Sequence, residues 1–243
     1  MSDVLVFITA TFNCGQTPQV KRHDPEARKQ DYLSAFRFWI SLNCDADIVF
    51  CENSNADLSS FREVVARYSG KTAVRLLSFA GNDGAQMKGK GYGEIEMLRY
   101  AFDVIPELKN YRYVLKVSGR YLVKNGADIV DQIGRMSADL ICDIHTNLTY
   151  ADTRTVAFKP HVVQSHLIPY QNELDETRGV IIEHLMARCL HRTLLAGGSW
   201  APFPCTPVCD GISGSWNTPQ RGTLLYRVKQ AIKRKVAHWI YQF

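Results

Sequence analysis

Val4-Leu5-Val6-Phe7-Ile8-Thr9-Ala10 is an apolar run rich in β-branched side chains, too short for a helix and unbroken by polar alternation. Such a run marks a strand buried on both faces, as in a parallel sheet. A polar stretch follows, and Asp24-Pro25 then sets an N-cap residue before a proline at the first helical position. From 27 to 42, Tyr32, Leu33, Phe36, Trp39 and Ile40 fall on one side of a helix. The alternation continues along the chain. Strands are expected at 47–51, 73–79, 111–117 and 138–144, and helices at 58–68, 94–105 and 128–135. This spacing predicts an α/β fold with a mostly parallel sheet flanked by helices. A further helix is expected at 173–195, and 196–220, rich in Gly, Pro, Ser and Trp, as an irregular segment lining a site.

With 243 residues, 46% of them hydrophobic and 22% charged, the chain suits one globular domain with a single core. No internal repeat or long linker divides it. The net charge of +5 does not choose among an anionic small molecule, a nucleic acid and an anionic membrane. The seven cysteines are odd in number and lack paired short spacings, which argues against a disulfide framework. Cys51 and Cys142 sit inside apolar runs, as small hydrophobes do. Cys189, His191, Cys205 and Cys209 contain no Cys-x-x-Cys pair, so structural zinc is not expected. Met1-Ser2-Asp3 lacks the basic start of a signal peptide, and no run approaches the ~20 apolar residues needed to span a bilayer. A cytoplasmic location is expected.

In parallel α/β sheets, ligands bind at the carboxyl ends of the strands. After the first strand come Thr9, Thr11 and Asn13, small polar groups suited to a nucleotide but without the glycine pattern of a dinucleotide fold. After the second come Glu52 and Asn53, placed to hydrogen-bond a base or ribose, although for either segment alone an ordinary polar loop is the favoured account. The third loop, from Gly81 to Glu94, holds five glycines together with Lys88 and Lys90. Its amides, lysines and following helix dipole would form an anion cradle, with Gly91 at its end. Gly84 to Lys90 satisfies G-x-x-x-x-G-K, but Gly91 replaces the Ser or Thr of a phosphate loop.

The fourth strand ends in Lys116-Val117-Ser118-Gly119-Arg120-Tyr121. Alternation sets Lys116 and Ser118 on one face, with Arg120 just beyond the strand. Their cationic groups would neutralise a diphosphate directly. Asp45-Ala46-Asp47 precedes the second strand, at the wrong end of the sheet, and is expected to be a turn. Farther on, Asp175, Glu176 and Glu183 are candidates for a general base, with helix capping as the competing account of the first two. His145, His161 and His166 are scattered and are expected to be structural or exposed.

The segments Thr9–Asn13, Lys88–Glu94 and Lys116–Tyr121, with the small-residue stretch Pro207–Ser215, resemble bacterial glycosyltransferases of surface-polysaccharide (O-antigen or capsule) synthesis. The resemblance covers most of the chain through loose motifs. It implies a GT-A-like fold and a nucleotide-sugar donor such as a UDP-sugar. It further implies a glycan or lipid-linked acceptor, with no nucleic-acid partner. The donor would be held by Thr9, Thr11, Asn13, Glu52, Asn53, Lys88, Lys90, Gly91, Lys116, Ser118, Gly119 and Arg120. The metal-holding Asp-x-Asp of such enzymes is missing after the fourth strand, so no metal ligand is assigned and metal independence is expected over a divalent ion. The domain would run over 1–220, with a nucleotide-binding half to about 145 and an acceptor half from about 146. Two other readings stay open. One is a phosphate-handling transferase (nucleotidyltransferase, sulfotransferase or kinase-like), and the other a non-catalytic nucleotide- or glycan-binding module.

Residues 221–243 contain Arg221, Arg227, Lys229, Lys233, Arg234 and Lys235 and no acidic residue. Leu224, Leu225, Val228, Ile232, Val236, Trp239, Ile240 and Phe243 recur at helical spacing over about half the circumference. A basic amphipathic C-terminal helix is expected, lying on the inner face of the cell membrane and paired with anionic lipid through 222–243. The competing account is a terminal helix docked on the core.

Overall fold

The apolar run at the start of the chain forms β1 (Val4–Ala10), buried along its whole length. Its alternate residues feed two separate cores. Val4, Val6 and Ile8 join one, and Leu5 and Phe7 the other, as a strand sandwiched between helical layers requires. The computed structural model describes residues 2–213 and 217–220. Asp24 caps α1 (Pro25–Ser41), its carboxylate accepting from the backbone N–H groups of Glu26 and Ala27.

The chain continues through β2 (Asp47–Glu52), α2 (Ser59–Ala66), β3 (Val74–Ser78), α3 (Asp83–Lys88) and α4 (Lys90–Val104). Then come β4 (Tyr113–Ser118), β5 (Tyr121–Val123), α5 (Gly126–Gly134), β6 (Leu140–Ile141) and β7 (Thr155–Phe158). The last described elements are α6 (Pro160–His166), α7 (Ile182–Leu195), β8 (Trp200–Ala201), β9 (Cys209–Ile212) and β10 (Pro219–Gln220).

Among the described residues the central sheet has seven strands, ordered β3-β2-β1-β4-β7-β6-β8. The first four run parallel, and β7 is antiparallel to both β4 and β6. One face carries α1, α2 and α5 through Phe36, Trp39, Phe61 and Ile129. The other carries α4, α6 and α7 through Ile95, Leu98, Val162 and Leu185. This is the mostly parallel, helix-flanked sheet that the periodicity implies. A small antiparallel sheet, β10-β9-β5, stands beside it. No helix among the described residues is long and apolar enough to cross a membrane.

Three expectations need correction. The glycine-rich stretch before 94 is helical: α3 and α4 meet at Gly89, whose φ of 109° makes the break. Its other glycines serve packing. A Cβ on Gly91 would lie 2.6 Å from Ile182 Cβ, and one on Gly93 would lie 2.8 Å from Asn53 Nδ2. The helix expected at 173–195 is two pieces, a 3-10 turn at Glu176–Arg178 and then α7. Gly179, at φ 81°, separates them, and Asp175 and Val180 pair across the gap. The irregular stretch 196–220 contains β8, β9 and β10. The helix expected at 221–243 lies outside the described residues.

Candidate functional site

The carboxyl ends of β1, β2 and β4 lie side by side, because these strands are parallel neighbours. The chain approaches itself closely there. Gly119 donates its N–H to the Thr9 carbonyl at 3.0 Å. A Cβ at position 119 would lie 2.5 Å from that same oxygen. Thr9 itself is buried, its hydroxyl 3.4 Å from the Val117 carbonyl.

The loop after β1 is shaped from within. Glu52 is fully buried and accepts from the N–H groups of Phe12, Ser54 and Ala56 and from the hydroxyls of Ser54 and Ser78. Both of its carboxylate oxygens are thereby taken by the chain. Arg28, on α1, is equally buried and donates to the carbonyls of Thr11, Phe12 and Arg22 and to the Tyr32 hydroxyl. Thr11 donates to Asn53 Oδ1 at 2.6 Å, and the Asn53 amide reaches the Gly81 carbonyl. Asn13 is exposed, and its side chain accepts from Gly15 N–H.

Lys116 is buried in an ion pair with Glu94 of α4, and donates to the Thr153 carbonyl at 2.8 Å and to Ser118 Oγ at 3.4 Å. The expected partner of Lys116 was a diphosphate; the structure gives it a carboxylate, because α4 starts early enough to bring Glu94 over β4. Arg120 stands differently. Its guanidinium lies 5.8 Å from the centroid of the Tyr32 ring, and Nη1 is buried without a hydrogen-bond partner among the described residues. A buried unpaired cationic donor is costly unless a ligand completes it.

Beside these, Asp152, Thr153 and Arg154 lead into β7, which pairs with β4. Arg154 Nε reaches both oxygens of Asp152, at 3.0 and 3.1 Å. Burial pushes the Asp152 carboxyl up, but the bonds and charge of Arg154 more than offset it and hold it below the usual carboxylate value. Thr153 donates to Glu183 Oε1 at 3.1 Å, in the first turn of α7. The other Glu183 oxygen makes no hydrogen bond among the described residues.

The remaining candidates form an adjoining group. Asp175 caps the 176–178 turn, accepting from Thr177 N–H and hydroxyl, and pairs with Arg178. The Thr177 hydroxyl holds its carboxyl below the usual value. This is the capping account. Glu176 is buried against α4, with Oε1 accepting from Gly91 N–H at 2.9 Å and Oε2 without a hydrogen-bond partner among the described residues. Lys88 lies 5.1 Å from the Tyr92 ring centroid, and Lys90 faces Glu176 electrostatically. The anion place at the start of α4 is therefore filled by a side chain of this protein.

Arg28, Glu94, Asp152 and Arg154 were not singled out from the sequence. The run Thr155-Val156-Ala157-Phe158 was the available signal for β7 and hence for the polar triplet before it. A 920 Å³ depression lies at the opposite, amino ends of the strands, lined by Asp45, Asp47, Lys71 and Tyr111 among others. Asp47 is engaged there with the Tyr111 hydroxyl at 2.8 Å. Among the described residues no group of three or more His, Cys, Asp or Glu is placed to hold a metal ion.

No protein-family model matches the chain, and no curated protein matches it in sequence. Its path resembles several solved structures. The mannosyltransferase PcManGT from Pyrobaculum calidifontis, in complex with GDP-Man and Mn2+, is 14% identical. That match covers 99% of this chain and 64% of the other, with a TM-score of 0.48. The glycosyltransferase GlyE of Streptococcus pneumoniae TIGR4 is 11% identical over 82% of this chain and 45% of its own, at 0.47. A cytidylyltransferase from Leptospira borgpetersenii serovar Hardjo-bovis is 11% identical over 85% of this chain and 78% of its own, at 0.44. The chain thus spans less than two thirds of the first and less than half of the second. Such likeness is one of fold alone, and it embraces both glycosyl and cytidylyl transfer.

Proposed function

We propose that this protein is a glycosyltransferase that moves a sugar from a nucleotide-diphosphate donor, such as a UDP-sugar, to a glycan or lipid-linked acceptor. The observation that carries the reading is Arg120. The residue follows Gly119 at the carboxyl end of β4, its Nη1 buried and without a hydrogen-bond partner among the described residues, and its guanidinium 5.8 Å from the Tyr32 ring centroid. A diphosphate would complete that donor and gain a charge-assisted bond in a water-poor place.

The chemistry follows from Arg120 and Glu183. Glu183 takes the proton of the acceptor hydroxyl as its oxygen bonds to the anomeric carbon. The bond from that carbon to the diphosphate oxygen breaks, and the nucleoside diphosphate leaves with the electron pair, its charge met by Arg120. Ser118, Gly119 and Arg120 offer one hydroxyl and a cation where a divalent ion would need carboxylates, and Asp152 is engaged with Arg154. These residues fit an anion better than a divalent metal.

The place of action we assign is surface-polysaccharide synthesis at the inner face of the cell membrane, with 222–243 as a peripheral anchor. A phosphate-loop enzyme is less well supported, since Asp83–Lys88 is helical and the Gly91 amide is occupied by Glu176. Incubation with a panel of nucleotide-sugars and with ATP, following thermal shift and slow hydrolysis, tests the assignment. Stabilisation by a UDP- or GDP-sugar with release of the diphosphate is the expected result. Response to ATP alone would overturn it.

A further inference from the structure

Residues 142–154 form a hairpin that leaves the sheet between β6 and β7, at the same end as the carboxyl edge of β4. Ile144 and Ala151 bridge its base, His145 N–H donates to the Tyr150 carbonyl at 2.8 Å, and Leu148 N–H donates to the His145 carbonyl at 2.8 Å. This closed turn sets the His145 ring against Tyr150, with centroids 4.5 Å apart and the planes tilted by 34°. On the other side His184, the neighbour of Glu183 on α7, meets Tyr150 edge-on at 6.1 Å. His145 is exposed and Tyr150 half-buried.

We infer that the rings of His145, Tyr150 and His184 form a saccharide subsite that holds the acceptor with one hydroxyl toward Glu183. The identity of that hydroxyl as the attacking group rests on the glycosyl-transfer reading. An apolar ring surface takes the C–H face of a pyranose, and a flanking carboxylate, here the Glu183 oxygen without a hydrogen bond among the described residues, accepts from its hydroxyls. Both parts are present. Glu183 is tied to the strand that follows Tyr150, its carbonyl accepting from Ala151 N–H and its Oε1 from the Thr153 hydroxyl, each at 3.1 Å. Burial first, and then the charges of Glu183 and Asp152, push the Tyr150 hydroxyl up to about 12. With Asp152 neutralised by Arg154, the carboxylate left to a ligand is that of Glu183, which disfavours a phosphate and suits a neutral, hydroxyl-rich ligand.

The test is saturation-transfer NMR on the full chain with methyl glucoside, methyl galactoside and methyl N-acetylglucosaminide at millimolar concentration. At least one glycoside should receive saturation from the wild-type protein. Tyr150→Ala should weaken that binding about tenfold, while Tyr150→Phe, which keeps the ring face, should stay within about threefold. Because Tyr150 is half-buried, His145→Ala at the exposed ring is the second variant, and it should also weaken binding. Binding by no glycoside, or equal binding by wild type, Tyr150→Ala and His145→Ala, would overturn the subsite. The nucleotide-sugar panel is run beside it on the wild-type protein. Glycoside binding without any nucleotide-sugar response leaves the subsite standing and removes the donor reading. The reverse pattern removes the subsite alone.

Discussion

Glu176 Oε1 accepts a hydrogen bond from the Gly91 backbone N–H at 2.9 Å, so the first turn of α4 receives its anion from the same chain. The slot is shaped for that carboxyl, since a Cβ on Gly89 would come within 2.4 Å of Glu176 Cδ. Burial pushes the Glu176 carboxyl up, against the opposing effects of the Gly91 N–H and Lys90. A raised carboxyl binds its proton more tightly in the folded state. Its contribution is full below the unfolded carboxylate range, near ~4.3, and is lost as pH rises through the folded value. Glu176→Gln keeps the acceptor and removes the titration. Its stability relative to wild type, from urea unfolding, should therefore rise between about pH 4 and pH 7. Glu176→Ala loses the bond and should cost about 1.5–3 kcal/mol. A relative stability of Glu176→Gln that falls over the same range would contradict this placement.

Gly119 fixes where Arg120 begins. With the Thr9 carbonyl 2.5 Å from a Cβ at that position, Gly119→Ala must push the ends of β1 and β4 apart. Overpacking of this kind costs about 1–3 kcal/mol. Donor affinity should fall along with the melting temperature. A variant with unchanged melting and unchanged donor affinity would show that the strand ends yield without consequence.

Arg120→Ala and Lys116→Ala should separate two roles that composition cannot. Removing Arg120 takes away an unpaired donor, so folding should change little while turnover falls about 10²–10³-fold. Removing Lys116 leaves the half-buried Glu94 without its partner, a loss of up to about 3 kcal/mol in stability. Turnover by the wild-type protein should survive EDTA. Complete loss with EDTA, restored by manganese, would sink the metal-free proposal.

These two cations mark where sequence reasoning stops. Lys116 and Arg120 flank one strand end and look alike as residues, yet one is sealed beneath α4 and the other has an open hydrogen-bonding position. The difference depends on where α4 starts, and glycine hid that start. Gly84, Gly89, Gly91 and Gly93 suggested a loop because glycine disfavours helices, but here Gly91 and Gly93 let a helix approach Ile182 and Asn53. The parallel strands β1, β2 and β4 were legible because each is a continuous apolar run. The short strands β5, β6 and β8 carry little periodicity of their own, and their pairing is decided by distant partners. Glu52 looked like a ligand group because it stands at the carboxyl end of β2; in the structure it is buried and organises the loop after β1.

Among the three candidate carboxylates, Glu183 alone combines a place beside β4 with an oxygen free of hydrogen bonds among the described residues. Glu183→Gln should leave nucleotide-sugar binding intact and cut transfer about 10²–10⁴-fold. Asp175→Asn, which touches only the cap of a 3-10 turn, should alter transfer by less than about threefold, within the usual range for a surface change. Wild-type transfer by Glu183→Gln would move the base elsewhere or replace single displacement by a retaining route.

The last prediction concerns 221–243, whose basic residues and apolar positions share a helical period in the sequence. Lys229 and Lys235 fall within the apolar arc, but long lysine stems can carry their charge out to the interface. Trp239 and Tyr241 suit the headgroup level, and the six Lys and Arg residues suit lipid phosphates at about 1 kcal/mol each near an anionic surface. Such an anchor would serve an enzyme whose acceptor cannot leave the bilayer. The full chain should bind phosphatidylserine-containing vesicles in co-sedimentation, and the binding should weaken as salt shortens the electrostatic reach to about 3 Å at 1 M. Removal of 222–243 should abolish the binding and preserve hydrolysis of the soluble donor. If the shortened protein unfolds, or sediments with vesicles as well as the full chain does, the segment belongs to the core and the anchor does not exist.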